Sequence, residues 1–132
     1  MNTVIQGAGV HHIALHSNNF DKTLEFYTKT LGFKTHLCWG EGRSRQALLD
    51  IGDGNFLEVF ADGNGILPEG PLFHLALRCE NVDEVYNAAL AAGAKPKTEP
   101  CDVNIPSNPP LPIRIAFFIG FDGDVIELFK TY

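Results

Sequence analysis

The chain has no uninterrupted apolar run approaching the roughly 18 residues that a membrane-spanning helix needs. Nothing in it is therefore expected to cross a bilayer. Its opening, MNTVIQGAG, has neither a basic flank nor an apolar segment, so no secretory leader is expected there. Cysteine is scarce: Cys38, Cys79 and Cys101 are odd in number and widely spaced, which suits neither a disulfide framework nor a Cys-x-x-Cys metal site. That usage points to a reduced, cytoplasmic setting. Positive charge is also short, with 10 Lys and Arg against 16 acids and a net charge of −6. The basic residues are scattered singly, so the basic face that nucleic-acid binding requires is missing. Apolar material is plentiful. Ten Phe and a 45% hydrophobic composition suffice for a real core, and 132 residues is one domain's worth of chain.

An internal repeat is the first informative feature. HHIALHSNNFD (11–21) aligns with FHLALRCENVD (73–83), pairing His12 with His74, Ala14 with Ala76, Asn19 with Asn81 and Asp21 with Asp83. Each stretch leads into a helical pattern that stops at a glycine, Gly32 or Gly93, the residue favoured just past a helix end. Further on, DGNFLEVF (53–60) aligns with DGDVIELF (122–129), pairing Glu58 with Glu127. The second copy is longer between its His and its Glu, and the proline-rich stretch 100–112 accommodates the difference as a connecting loop. Hydrophobic alternation predicts strands at 10–17, 34–39, 44–50 and 55–61 in the first copy. In the second it predicts strands at 72–79, 96–99, 113–119 and 124–130, with a helix over 82–92. The expectation is an α+β single domain, 1–132, of paired βαβββ modules. Module 1 covers about 9–61, a linker about 62–71, and module 2 about 72–130. A lone module of roughly 60 residues would bury too little to stand alone.

Strand parity then places the polar side chains, because successive residues point to opposite faces. His12, Ala14 and His16 share one face of the first strand while Ile13 and Leu15 share the other. His74 and Ala76 likewise oppose Leu75 and Leu77. Glu58 lies on a face with Phe56 and Phe60, and Glu127 on one with Val125 and Phe129. All four, His12, Glu58, His74 and Glu127, fall on the side turned away from the helices. A carboxylate in the middle of an apolar strand is costly unless it is paired or bound to a cation. A single strand His is more often a hydrogen-bonded structural residue, but the doubled pattern points to one shared divalent ion. Two imidazoles and two carboxylates suit Zn, Ni, Co, Mn or Fe. The pattern leaves open whether the ion is held within one chain or between two. His11 is expected on the core or helix side and His36 at the surface. Phe56, Phe60, Phe118 and Trp39 are candidates to line an apolar pocket. Arg43, Arg45 and Arg114 are candidates to meet an anionic substrate.

These segments, with FYTKTLGF after the first strand and DGDVIEL near the end, resemble the vicinal oxygen chelate superfamily. That group includes glyoxalase I, methylmalonyl-CoA epimerase, extradiol dioxygenases and the fosfomycin- and bleomycin-resistance proteins. The resemblance covers about residues 9–130 and implies a curved mixed sheet of paired modules around a central metal site. It implies His12, Glu58, His74 and Glu127 as ligands to one divalent metal, and a fourth protein ligand points to the glyoxalase I-like branch. There, the implied activity is that of a lyase or isomerase: a carboxylate, Glu127 with Glu58 as its counterpart, moves a proton next to a metal-bound carbonyl through an enediolate. Glutathione-using members carry Arg and Asn where this chain has His16 and Asp62, so the expected partners of the glutathione carboxylate are missing. His16, Asp62 and Arg114 join Phe56, Phe60 and Phe118 as substrate-contact candidates. The resemblance also implies a homodimer acting on a small molecule. The alternatives are a resistance-type binding protein and, disfavoured by Glu58, an Fe-dependent extradiol dioxygenase.

Overall fold

The alternating sequence HIALH forms strand β1 (His12–His16), and Asn19 caps the helix that follows by accepting a hydrogen bond from the Lys22 backbone N–H. That helix, α1 (Phe20–Glu25), continues as a π-helical turn over Phe26–Thr30 and ends before Gly32, whose φ of 77° is the left-handed stop anticipated there. Strands β2 (Lys34–Trp39), β3 (Gln46–Asp50) and β4 (Phe56–Phe60) complete the first unit. The second unit repeats the order with β5 (Leu75–Arg78), α2 (Val82–Ala91), β6 (Lys95–Ile105), β7 (Leu111–Ile119) and β8 (Val125–Thr131). This computed structural model describes residues 2–132.

Two four-stranded mixed sheets result, ordered β1-β4-β3-β2 and β5-β8-β7-β6. In each, the first strand of the unit runs parallel to the last, and the remaining pairs are antiparallel. Strands β1 and β5 are therefore edge strands, as are β2 and β6. The expected loop at 100–112 is mostly strand: β6 runs through to Ile105 and pairs with β7 from Leu111, leaving a short turn between them. Proline removes a donor without forbidding an edge strand, and β6 is an edge.

One core serves both units. Ala47, Leu49, Leu57 and Val59 of the first sheet and Ala116, Phe118, Ile126 and Leu128 of the second join the buried faces of both helices in a single cluster. Phe26 stands edge-on to Phe118 at 6.1 Å, linking the units directly. A polar latch reinforces the contact. Asp122, in the β7–β8 turn, accepts hydrogen bonds from the Thr23 hydroxyl at 2.6 Å and the Asn18 backbone N–H at 2.7 Å. Asp124, in the same turn, accepts one from the buried Tyr27 hydroxyl. Gly120 lies against this turn, where an added Cβ would crowd the Asp124 carboxylate.

Candidate metal centre

Each sheet carries one His–Glu pair, built in the same way twice. In the first, Glu58 lies opposite Ala14, two residues beyond His12, so the imidazole reaches across the small alanine toward the carboxylate. His12 Nε2 is 3.2 Å from Glu58 Oε2. In the second, Glu127 lies opposite Ala76, two residues beyond His74, and His74 Nε2 is 3.1 Å from Glu127 Oε2. Glu127 is 8% exposed and, among the described residues, has only His74 as a side-chain partner. Burial pushes its carboxyl pKa above the ordinary value, with the His74 charge opposing. An Nε2 and a carboxylate oxygen side by side, with alanine leaving space, is a donor set that fits half of a divalent metal site.

The four donors meet as two pairs. Among the described residues, no group of three or more His, Cys, Asp or Glu side chains comes close enough to hold one ion. The cause lies in the core: the two sheets join through their helix sides, so both His–Glu faces turn away from the shared interior. Those outer faces and free edges leave large apolar side chains uncovered, among them Val10, Ile13, Trp39, Leu72 and Phe73.

The remaining site candidates divide clearly. Phe56 and Phe60 lie beside Glu58 on the outer face of β4, half-buried. His16, Phe60, Gln46 and Trp39 form one row across that sheet. His16 Nδ1 is 2.7 Å from Asp62 Oδ1, and this bond is the main cause holding the Asp62 carboxyl below its ordinary pKa. The two residues thus engage each other. Phe118 was expected in the pocket, but it is fully buried on the helix side against Phe26. Its neighbour Phe117 takes the outer face instead, opposite Glu127 and 5.6 Å from the His74 ring. Arg114 was expected near substrate, but it lies on the helix side and is held by Asp83 at 2.7 Å and Asp102 at 3.0 Å. Arg45 is held by Asp21, and Arg43 donates to the Asp62 backbone carbonyl, both at 2.9 Å. His36 is exposed, as expected. His11 departs from expectation: it is exposed beside the site, with its ring 5.3 Å from Phe56 and its Nδ1 2.9 Å from His12 Nδ1.

Among the described residues, no helix is long and apolar enough to cross a membrane. No curated protein matches the chain by sequence. Solved structures match over nearly the whole length, and their likeness is one of fold. The crystal structure of the genomically encoded fosfomycin resistance protein FosX from Listeria monocytogenes, complexed with Mn(II) and sulfate, gives a TM-score of 0.71 at 23% identity, covering 93% of this chain and 92% of that one. TioX from Micromonospora sp. ML1 gives 0.68 at 18% identity, covering 95% and 100%. A superfamily member from Sphaerobacter thermophilus DSM 20745 gives 0.69 at 22%, covering 96% and 99%. Residues 9–104 match the family model itself, and the chain belongs to the Glyoxalase/Bleomycin resistance protein/Dioxygenase superfamily.

Proposed function

We propose that the protein is a metal-dependent lyase or isomerase working as a homodimer. Each of its two centres would take His12 and Glu58 from one protomer together with His74 and Glu127 of the partner subunit. The observation that carries this reading is the twofold occurrence of one motif, an imidazole Nε2 within about 3.2 Å of a glutamate oxygen, on faces turned away from the chain's own core. A second copy would complete half-sites on outward faces, and the uncovered apolar residues before β1 and before β5, Val10, Leu72 and Phe73, supply surface for that contact.

When bound, a divalent ion there supplies Lewis acidity toward a substrate oxygen. The chain's own residues do the rest. Glu127, the more buried of the two carboxylates, moves the proton next to the substrate carbonyl, with Glu58 as its symmetric counterpart. Phe56 and Phe60 flank Glu58, Phe117 stands beside Glu127, and together they exclude water from the reacting face. His16 and Asp62 bond each other at the mouth, and Arg43, Arg45 and Arg114 are engaged by protein oxygens. That arrangement favours a small hydroxycarbonyl substrate over a glutathione adduct, whose carboxylates would find no free guanidinium among these three. The superfamily also contains resistance proteins, and the likeness in fold to FosX favours, as a second reading, a resistance-type protein acting on a small antibiotic.

The test is deuterium exchange next to the carbonyl of small hydroxycarbonyl compounds and of the methylglyoxal–glutathione hemithioacetal, followed by NMR with and without added divalent metal. Metal-dependent exchange that is lost in Glu127→Gln is expected. Metal bound without exchange on any of these compounds transfers the assignment to the resistance-type reading. A protein that binds no divalent metal overturns both the centre and its chemistry.

A further inference from the structure

The two repeats differ at the residue preceding the ligand histidine: His11 stands before His12, and Phe73 before His74. Both neighbours pack edge-on against the histidine they precede. The His11–His12 rings are 5.2 Å apart at 86°, and the Phe73–His74 rings 4.7 Å apart at 88°. Aromatic packing is thus common to both halves. His11 adds a contact that phenylalanine cannot make, its Nδ1 lying 2.9 Å from His12 Nδ1. The His11 ring is itself held from behind by Phe56 at 5.3 Å, and His36 packs on the same phenylalanine at 5.1 Å.

Two ring nitrogens this close require one to carry a proton and the other to be bare. A neutral histidine that offers Nε2 to a cation must keep its only proton on Nδ1. His12 Nδ1–H then donates, and His11 Nδ1 accepts, with the His11 proton on its own Nε2. This is the arrangement by which an outer partner fixes the tautomer and ring orientation of a metal-binding histidine. We propose that His11 is a positioning residue that holds His12 ready to bind metal through Nε2, a support that Phe73, lacking a ring nitrogen, cannot give His74. The inference rests on the reading of His12 as a metal ligand given above.

The test uses the full-length protein and Zn(II), with two variants that separate ring from acceptor. His11→Phe keeps an aromatic ring, as Phe73 does, and removes the acceptor. His11→Asn restores an acceptor oxygen where Nδ1 stood and removes the ring. Zn(II) affinity by competition with a chromophoric chelator is expected to fall about 10- to 100-fold in His11→Phe and to recover most of that loss in His11→Asn. In the Zn(II)-loaded, 15N-labelled wild type, a scalar coupling across the N–H···N bond between the two Nδ1 atoms is expected. The inference is overturned alone if wild type binds Zn(II) and His11→Phe stays within about twofold of it, if His11→Asn falls as far as His11→Phe, or if no coupling is seen. A wild type that binds no Zn(II) instead overturns the ligand assignment and this inference together.

Discussion

Mixing two disabled chains provides the sharpest test of the proposed metal centre and of its assembly across two chains. One chain carries His12→Ala with Glu58→Gln, and the other His74→Ala with Glu127→Gln. Both sets leave the helix-side core intact, since His12 and His74 are on the outer faces and glutamine preserves the volume of the buried Glu127 side chain. Every centre in a dimer of either variant alone has lost half of its donors. In a mixed dimer the arrangement argued above gives one centre that has lost all four donors and one that is intact, formed by the unaltered pair of each chain. Random reassortment makes about half of the dimers mixed, so roughly a quarter of the wild-type number of centres should return. If each chain instead formed its centre internally, every centre would lack one pair and mixing would restore none. Tight Zn(II) or Mn(II) binding per protomer, measured by titration after co-refolding equal amounts, gives the answer. Recovery near a quarter, with each variant inert alone, is the expected result. A mixture as inert as its components would refute assembly across two chains.

Four further outcomes follow from the same geometry. Phe118→Ala removes a fully buried ring packed on Phe26 and should lower stability by about 3–5 kcal/mol in urea denaturation. Phe117→Ala should cost much less and instead alter ligand affinity at the His74–Glu127 face. Burial raises the Asp124 carboxyl pKa above its ordinary 3.8. The folded chain therefore holds this proton to higher pH than the unfolded chain does, so the stability it contributes is complete below the unfolded value and is lost as pH rises through the folded one. Stability measured at successive pH values should lose part of that downward slope in Asp124→Asn. Arg114→Ala, which breaks only the contacts with Asp83 and Asp102, should leave metal titration and deuterium exchange unchanged.

The parts of this molecule that the sequence made legible are those in which apolar and polar residues alternate cleanly. HIALH, FLEVF and VIELF each place one candidate polar side chain among residues of fixed parity, and the face expected for Glu58 agrees with the alternating burial of β4, while Glu127 shares its face with Phe117 across β7. Strand β7 reads IRIAFFI, and two adjacent phenylalanines give parity nothing to decide between. The outer face expected of Phe118 is taken by Phe117, which lies opposite Glu127. His11 escapes strand parity for a related reason. It precedes β1, where the alternation has not begun, so its ring comes to the same side as that of His12. The length of β6 was hidden by proline, since edge strands tolerate it. The Asp122–Thr23 and Asp124–Tyr27 contacts join residues nearly a hundred positions apart, and no local pattern announces a partner at that separation.

The duplication itself accounts for the two separate His–Glu pairs. Each βαβββ unit has two faces with something to satisfy: an apolar side under its helix, and a side bearing one imidazole and one carboxylate. Two units in one chain can bring the first kind of face together or the second. Burial of phenylalanine, leucine and isoleucine is worth far more to a folding chain than juxtaposing two carboxylates before any cation has arrived, which by itself is repulsive. The helix sides therefore meet, Phe26 against Phe118, and the His–Glu faces are left outward. An outward half-site is a stable product of folding yet an incomplete one for chemistry. A cation with a second copy of the same chain is what satisfies both carboxylates at once, so on this reading metal binding and dimerisation strengthen each other. Added metal should then shift the protein toward dimer in sedimentation experiments at low concentration, and Glu58→Gln should weaken that shift; a dimerisation constant indifferent to metal would break the link.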